Sequence, residues 1–109
     1  IDFINHRVSP SHYSIQSHGQ GSKGELHPQT WEISGSNDNS HWTNLDSRYN
    51  DKSLDSKLVT VTFPIQNKTN EYYRYLRIMQ EGENTTNSSS CRNVLYFSSI
   101  EFFGSYKKY

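Results

Sequence analysis

Two stretches decide how this chain reads: Glu71-Tyr72-Tyr73-Arg74-Tyr75-Leu76-Arg77-Ile78-Met79-Gln80 and Leu95-Tyr96-Phe97-Ser98-Ser99-Ile100-Glu101-Phe102-Phe103-Gly104. Both are dense in aromatic, β-branched and long apolar residues, and both are bounded by polar turn-formers, the signature of buried strands. The segment between them, residues 81–94, is polar and shows no periodicity. Two core strands joined by a long polar loop describe a scaffold that carries a binding edge.

Working outward, residues 57–63 alternate most cleanly, with Val59, Val61 and Phe63 set against Thr60 and Thr62, and Pro64 stops the run. Residues 28–35 read as a strand carrying Trp31 and Ile33. Residues 41–48 read as a short strand carrying Trp42. Residues 12–18 alternate about Tyr13 and Ile15, and residues 1–8 form a further strand ended by a Ser9-Pro10-Ser11 turn. No segment shows a 3.6-residue period. Seven strands separated by turn signals predict an all-β protein, an antiparallel sandwich or jelly roll. The expected inward set is Tyr13, Ile15, Trp31, Ile33, Trp42, Val59, Val61, Phe63, Leu76, Ile78, Ile100 and Phe102.

The 109 residues make about one domain. Hydrophobic residues are only 31% and the mean hydropathy is −0.93, but the 14% aromatic content supplies large rings for a lean core. Eleven basic residues balance eleven acidic ones without a basic stripe, which argues against nucleic acid as a partner. No apolar run reaches the roughly 18 residues of a membrane span. Cys91 is the lone cysteine, which favours a reducing compartment and a cytoplasmic setting, with an extracellular one as the alternative.

Three motifs then carry a resemblance. Trp31-Glu32-Ile33-Ser34-Gly35-Ser36-Asn37-Asp38-Asn39-Ser40-His41-Trp42, Arg74-Tyr75-Leu76-Arg77-Ile78 and Ile100-Glu101-Phe102-Phe103-Gly104 stand in the order seen in the discoidin, or coagulation factor 5/8 type C, domain family. The chain resembles that family over nearly its whole length. The resemblance implies a galactose-binding-like jelly roll spanning residues 1–105, lacking its first strand or strands, with residues 106–109 as a charged tail. The absence of a cysteine pair makes it look like the family's intracellular-type members, which are covalently linked to companion domains.

Antiparallel strands alternate direction, so connections alternate between the two ends of a sandwich. This places loops 18–28, 48–57 and 80–94 at one end, away from the shorter turns at 9–11, 36–41 and 64–70. Functional groups gather on long loops held by a rigid scaffold, and in the resembled family these loops form the ligand edge. The candidate ligand residues are therefore His18, Gln20, Lys23, Glu25, His27, Arg48, Tyr49, Gln80, Asn84 and Arg92. Each has a plain structural alternative: a solvated loop residue, or, for Arg48, a strand-end ion pair. Arg74 and Arg77 read as sheet-face packing or ion pairs, with Glu71 and Glu101 as candidate partners. His18 and His27 lie nine residues apart without a recognised ligand motif, so no metal and no cofactor is assigned.

The expected function is a non-catalytic interaction module of a larger protein, with a glycan or protein ligand. The alternative is peripheral binding to anionic membranes, for which the loop tips offer Leu26, Tyr49 and Leu54. No Gly-x-Ser-x-Gly, HExxH or P-loop motif is present, and the acids are scattered, so the chain is not read as an enzyme.

Overall fold

The computed structural model describes residues 1–17, 27–55, 58–82, 84 and 97–108. Their strands are β1 (His6–Gln16), β2 (Trp31–Ser36), β3 (Thr43–Arg48), β4 (Thr60–Pro64), β5 (Tyr75–Gln80) and β6 (Ser99–Lys108). No helix occurs among the described residues, and none of them forms a span long and apolar enough to cross a membrane as a helix. The strands make two antiparallel sheets, ordered β4-β1-β6 and β3-β2-β5, packed as an all-β sandwich.

The inner faces follow from period-two alternation. Val8, Tyr13 and Ile15 of β1, Phe63 of β4 and Phe102 of β6 meet Trp31 and Ile33 of β2, Leu45 of β3 and Leu76 of β5. Tyr13 stacks on Phe63 with centroids 5.2 Å apart, and Trp31 meets Phe63 edge-on at 5.2 Å. Each such side chain contributes about 1.5–3 kcal/mol on burial. Val59, Val61, Ile78 and Ile100 are only half-buried around this centre. Trp42, expected inside, is half-buried on the opposite face of its sheet, beneath Arg77.

Residues 9–11 do not turn the chain. β1 runs straight through Ser9-Pro10-Ser11, so the first two expected strands are one, and six strands are seen among the described residues. The register against β6 shifts between Pro10 and His12, and this bulge absorbs the proline that cannot donate to a ladder. Gly104 lies opposite. A Cβ there would collide with the Ser9 carbonyl oxygen and stand 2.9 Å from the Pro10 Cα. Residues 106–108, read as a tail, continue β6 and pair with Val8, Arg7 and His6.

Residues 1–3 lie along β5: the Ile1 amine donates to the Leu76 carbonyl at 2.7 Å, and Asp2 bridges Tyr75. Tyr73 pairs with Val8 and links the sheets at this end. Its ring covers Gly35, where an added Cβ would stand 2.7 Å from a ring carbon. The β2–β3 turn is held by side chains. The Asp38 carboxylate accepts the backbone N–H groups of Ser40 (2.9 Å) and His41 (2.8 Å), while the Asn37 amide donates to Tyr72 O and its oxygen accepts from Arg74 N.

Candidate functional site

The chain leaves β1, β3 and β5 at one end of the sandwich and enters β2, β4 and β6 there. Thr30, just before β2, fastens two of the connections. Its hydroxyl accepts the Asn50 N–H at 3.0 Å and its carbonyl accepts the Glu81 N–H at 3.1 Å. Gln29 extends the clamp: its carbonyl accepts from Asp51 N at 2.7 Å, its amide donates to Asn84 O at 3.1 Å, and its side-chain oxygen accepts from the Lys52 ammonium. On the other sheet, Ser17 is fully buried. Its hydroxyl accepts from Val59 N at 2.9 Å, and its carbonyl accepts the Ser98 hydroxyl at 3.0 Å. These polar groups satisfy the backbone where regular pairing ends, as burial requires.

The stems of the three long connections are thereby gathered into one rim. Nothing in residues 29, 30, 51, 52 and 81 singled them out as candidates. The only signal available was that each is a polar residue flanking a strand at the same end. Of the candidates from sequence, His18, Gln20, Lys23, Glu25 and Arg92 lie outside the described residues, as do Leu26 and Cys91. Tyr49 stands 82% exposed at the rim. His27 and Asn84 are buried, and Gln80 is half-buried at the end of β5. Leu54, expected at a tip, is fully buried and plugs the core below the loop.

Arg48 is occupied internally. Its Nε donates to Asp46 Oδ2 at 2.9 Å and its terminal nitrogen to Pro64 O at 2.7 Å, with the guanidinium 5.1 Å from the Phe63 ring centroid. Asp46 has no exposed surface. It also accepts the Tyr13 hydroxyl and, at 3.1 Å, the Gln66 backbone N–H. The same hydroxyl accepts the Trp31 indole N–H at 2.9 Å. Burial, then the Asp46 carboxylate beside it, pushes the Tyr13 phenol well above its ordinary value. The guanidinium of Arg48 is held charged by Asp46 against the opposing effect of its burial. This network belongs to the core, not to the rim.

Among the described residues no three His, Cys, Asp or Glu side chains gather where they could hold a metal ion. The rim therefore offers an exposed phenol, an ammonium at Lys52, and the carboxylates of Asp51 and Glu81 on a rigid base. That set suits polar recognition of another surface.

No family model matches the chain. It is similar to two curated proteins. Over 99 residues it is 33% identical to the E3 ubiquitin-protein ligase Ufd4 of Drosophila melanogaster, and over 97 residues 32% identical to the E3 ubiquitin-protein ligase hecd-1 of Caenorhabditis elegans. Each match covers 89% of this chain but only 3% and 4% of those proteins. The chain thus spans a small fraction of the length of the curated relatives it matches.

Proposed function

We propose that this chain is a recognition module of the discoidin type within a larger protein, and that it binds a protein surface through the rim built on Thr30 and Gln29. The observation that carries the reading is the convergence of three long connections on one clamp of backbone and side-chain bonds from Gln29 and Thr30. A fixed base with variable loops is how a scaffold separates stability from specificity. The short similarity to two ubiquitin ligases supports a protein ligand over a glycan, because an enzyme that modifies proteins must hold them. In this reading catalysis lies elsewhere in the larger protein, and the module supplies a partner or substrate contact.

The test is a proximity-labelling or protein-array screen with the chain and its Tyr49→Ala variant. An exposed tyrosine outside the core leaves stability within about 0.5 kcal/mol when truncated. Its loss should therefore weaken capture of the specific partner without unfolding the module. A partner held equally by both proteins would move the contact off the rim. Binding to a glycan array with no protein partner would replace the ligand class. Tyr49 and Leu58 are both exposed on the connection between β3 and β4, so vesicles with and without anionic phospholipid belong in the same experiment. Binding confined to anionic vesicles would establish the membrane reading instead.

A further inference from the structure

A groove of about 540 Å³ lies on the outer face of the β3-β2-β5 sheet, near the end away from the loop rim. Trp42, Arg77, Tyr75, Asn39 and Asp2 line it. Leu76 and Ile78 face the core, so Arg77 between them projects to the outside, where its guanidinium lies 3.8 Å from the Trp42 ring centroid. Arg74 stands 5.0 Å from the Tyr75 ring centroid and is bound by both oxygens of Asp2, at 2.9 and 3.2 Å.

The two arginines are not equivalent. Arg74 and Asp2 cancel each other's charge. Arg77 has no carboxylate within ion-pair distance among the described residues, and its Nε is buried without a hydrogen-bond partner among them. Glu32 lies on the same face and feels the charge of Arg77, but its hydrogen bonds go to Ser34 at 2.9 Å and to Asn44. A guanidinium stacked on an indole has its π face filled and its orientation fixed. With Nε buried, what it still offers is the end that carries its two terminal nitrogens, whose N–H donors lie in one plane and can bind a carboxylate by two parallel bonds. The stacked rings are correspondingly less open to a sugar.

We infer that this groove is a second binding site, taking an acidic peptide segment whose carboxylate docks on the edge of Arg77 beside Trp42. The site is separate from the loop rim, and its standing does not depend on the function proposed for that rim.

The probe is a capped oligoglutamate peptide, with a capped oligoglutamine of the same length as control. Each is titrated into the isotope-labelled chain while the Arg77 Nε–H and Trp42 indole N–H signals are followed by NMR. The glutamate peptide should move both signals and the glutamine peptide neither. Arg77→Lys keeps the charge and removes the fork, so it should weaken binding by roughly tenfold or more. Tyr49→Ala should leave this binding unchanged. Signals in the unmodified chain that stay fixed at millimolar glutamate peptide would overturn the site, whatever the stability of the variant. So would equal response to both peptides, equal binding by Arg77→Lys, or a response confined to anionic vesicles.

Discussion

The Tyr13 hydroxyl on β1 donates to the Asp46 carboxylate on β3, so a polar bond crosses the apolar interior from one sheet to the other. Asp46 is in turn held by Arg48 and by the Gln66 backbone, and Tyr13 receives the Trp31 indole. Removing the hydroxyl alone, as Tyr13→Phe, leaves Trp31 without its acceptor and should cost about 1–3 kcal/mol. Asp46→Asn leaves Arg48 half-buried without a countercharge and should cost more, about 3–5 kcal/mol. Urea unfolding of the two variants checks the order. Equal and small losses would mean the network does not stabilise the fold.

The same bond sets the response to alkali. The Tyr13 phenol titrates higher in the folded chain than in the unfolded one, where it sits near 10. A raised folded value gives stability that is complete below about pH 10 and is lost as pH rises beyond it, since only the unfolded chain then releases its proton. Urea midpoints of the unmodified chain should therefore fall more steeply above about pH 10 than those of Tyr13→Phe. Parallel curves would refute the linkage.

Acid acts on the β2–β3 turn. The backbone N–H of His41, then its side chain, then the N–H of Ser40 hold the Asp38 carboxyl far below the ordinary carboxylate range. A depressed folded value gives stability that is present above about pH 4 and lost as pH falls toward the folded value. Asp38→Asn should be less stable than the unmodified chain near neutrality, and the gap should start to narrow as pH falls below about 4 and keep narrowing toward the folded value. Screening limits its size because the side chain is half exposed. A gap constant with pH would show that packing, not charge, carries the turn.

Two glycines should respond differently to alanine. At Gly104 the added Cβ meets backbone of β1 at its bulge, with φ at 157°, and backbone cannot step aside. At Gly35 it meets the face of the buried Tyr73 ring, a side chain rather than backbone. Gly104→Ala should cost about 3 kcal/mol or more, and Gly35→Ala about 1–3 kcal/mol. Thermal unfolding of both variants gives the comparison.

The architecture was legible because its signals were local. Val59, Val61 and Phe63, or Leu76 and Ile78, announce strands by alternation, and Asn37-Asp38 announces a turn by chemistry. The errors came where context overrides a local rule. Ser9-Pro10-Ser11 looks like a reversal, yet a bulge facing Gly104 lets the strand pass. Trp42 looks like core by size, but the face it occupies is decided by the register of its neighbours, and a guanidinium covers it there. Leu54 sits in a polar run and reads as exposed, although the loop folds it under. The rim is least legible: its location follows from counting strand reversals, but the partners of Thr30 and Gln29 lie 20 or more residues away in sequence, and neither composition nor alternation encodes them.

His6 pairs with Lys108, and Ile1 lies beside the start of β5, so both chain ends emerge at the pole opposite Thr30. Polypeptide joined to either end would leave from the back of the sandwich, like two leads from one plug. Segments joined there could be exchanged or lengthened without shadowing the opposite pole, where the chain leaves β1, β3 and β5.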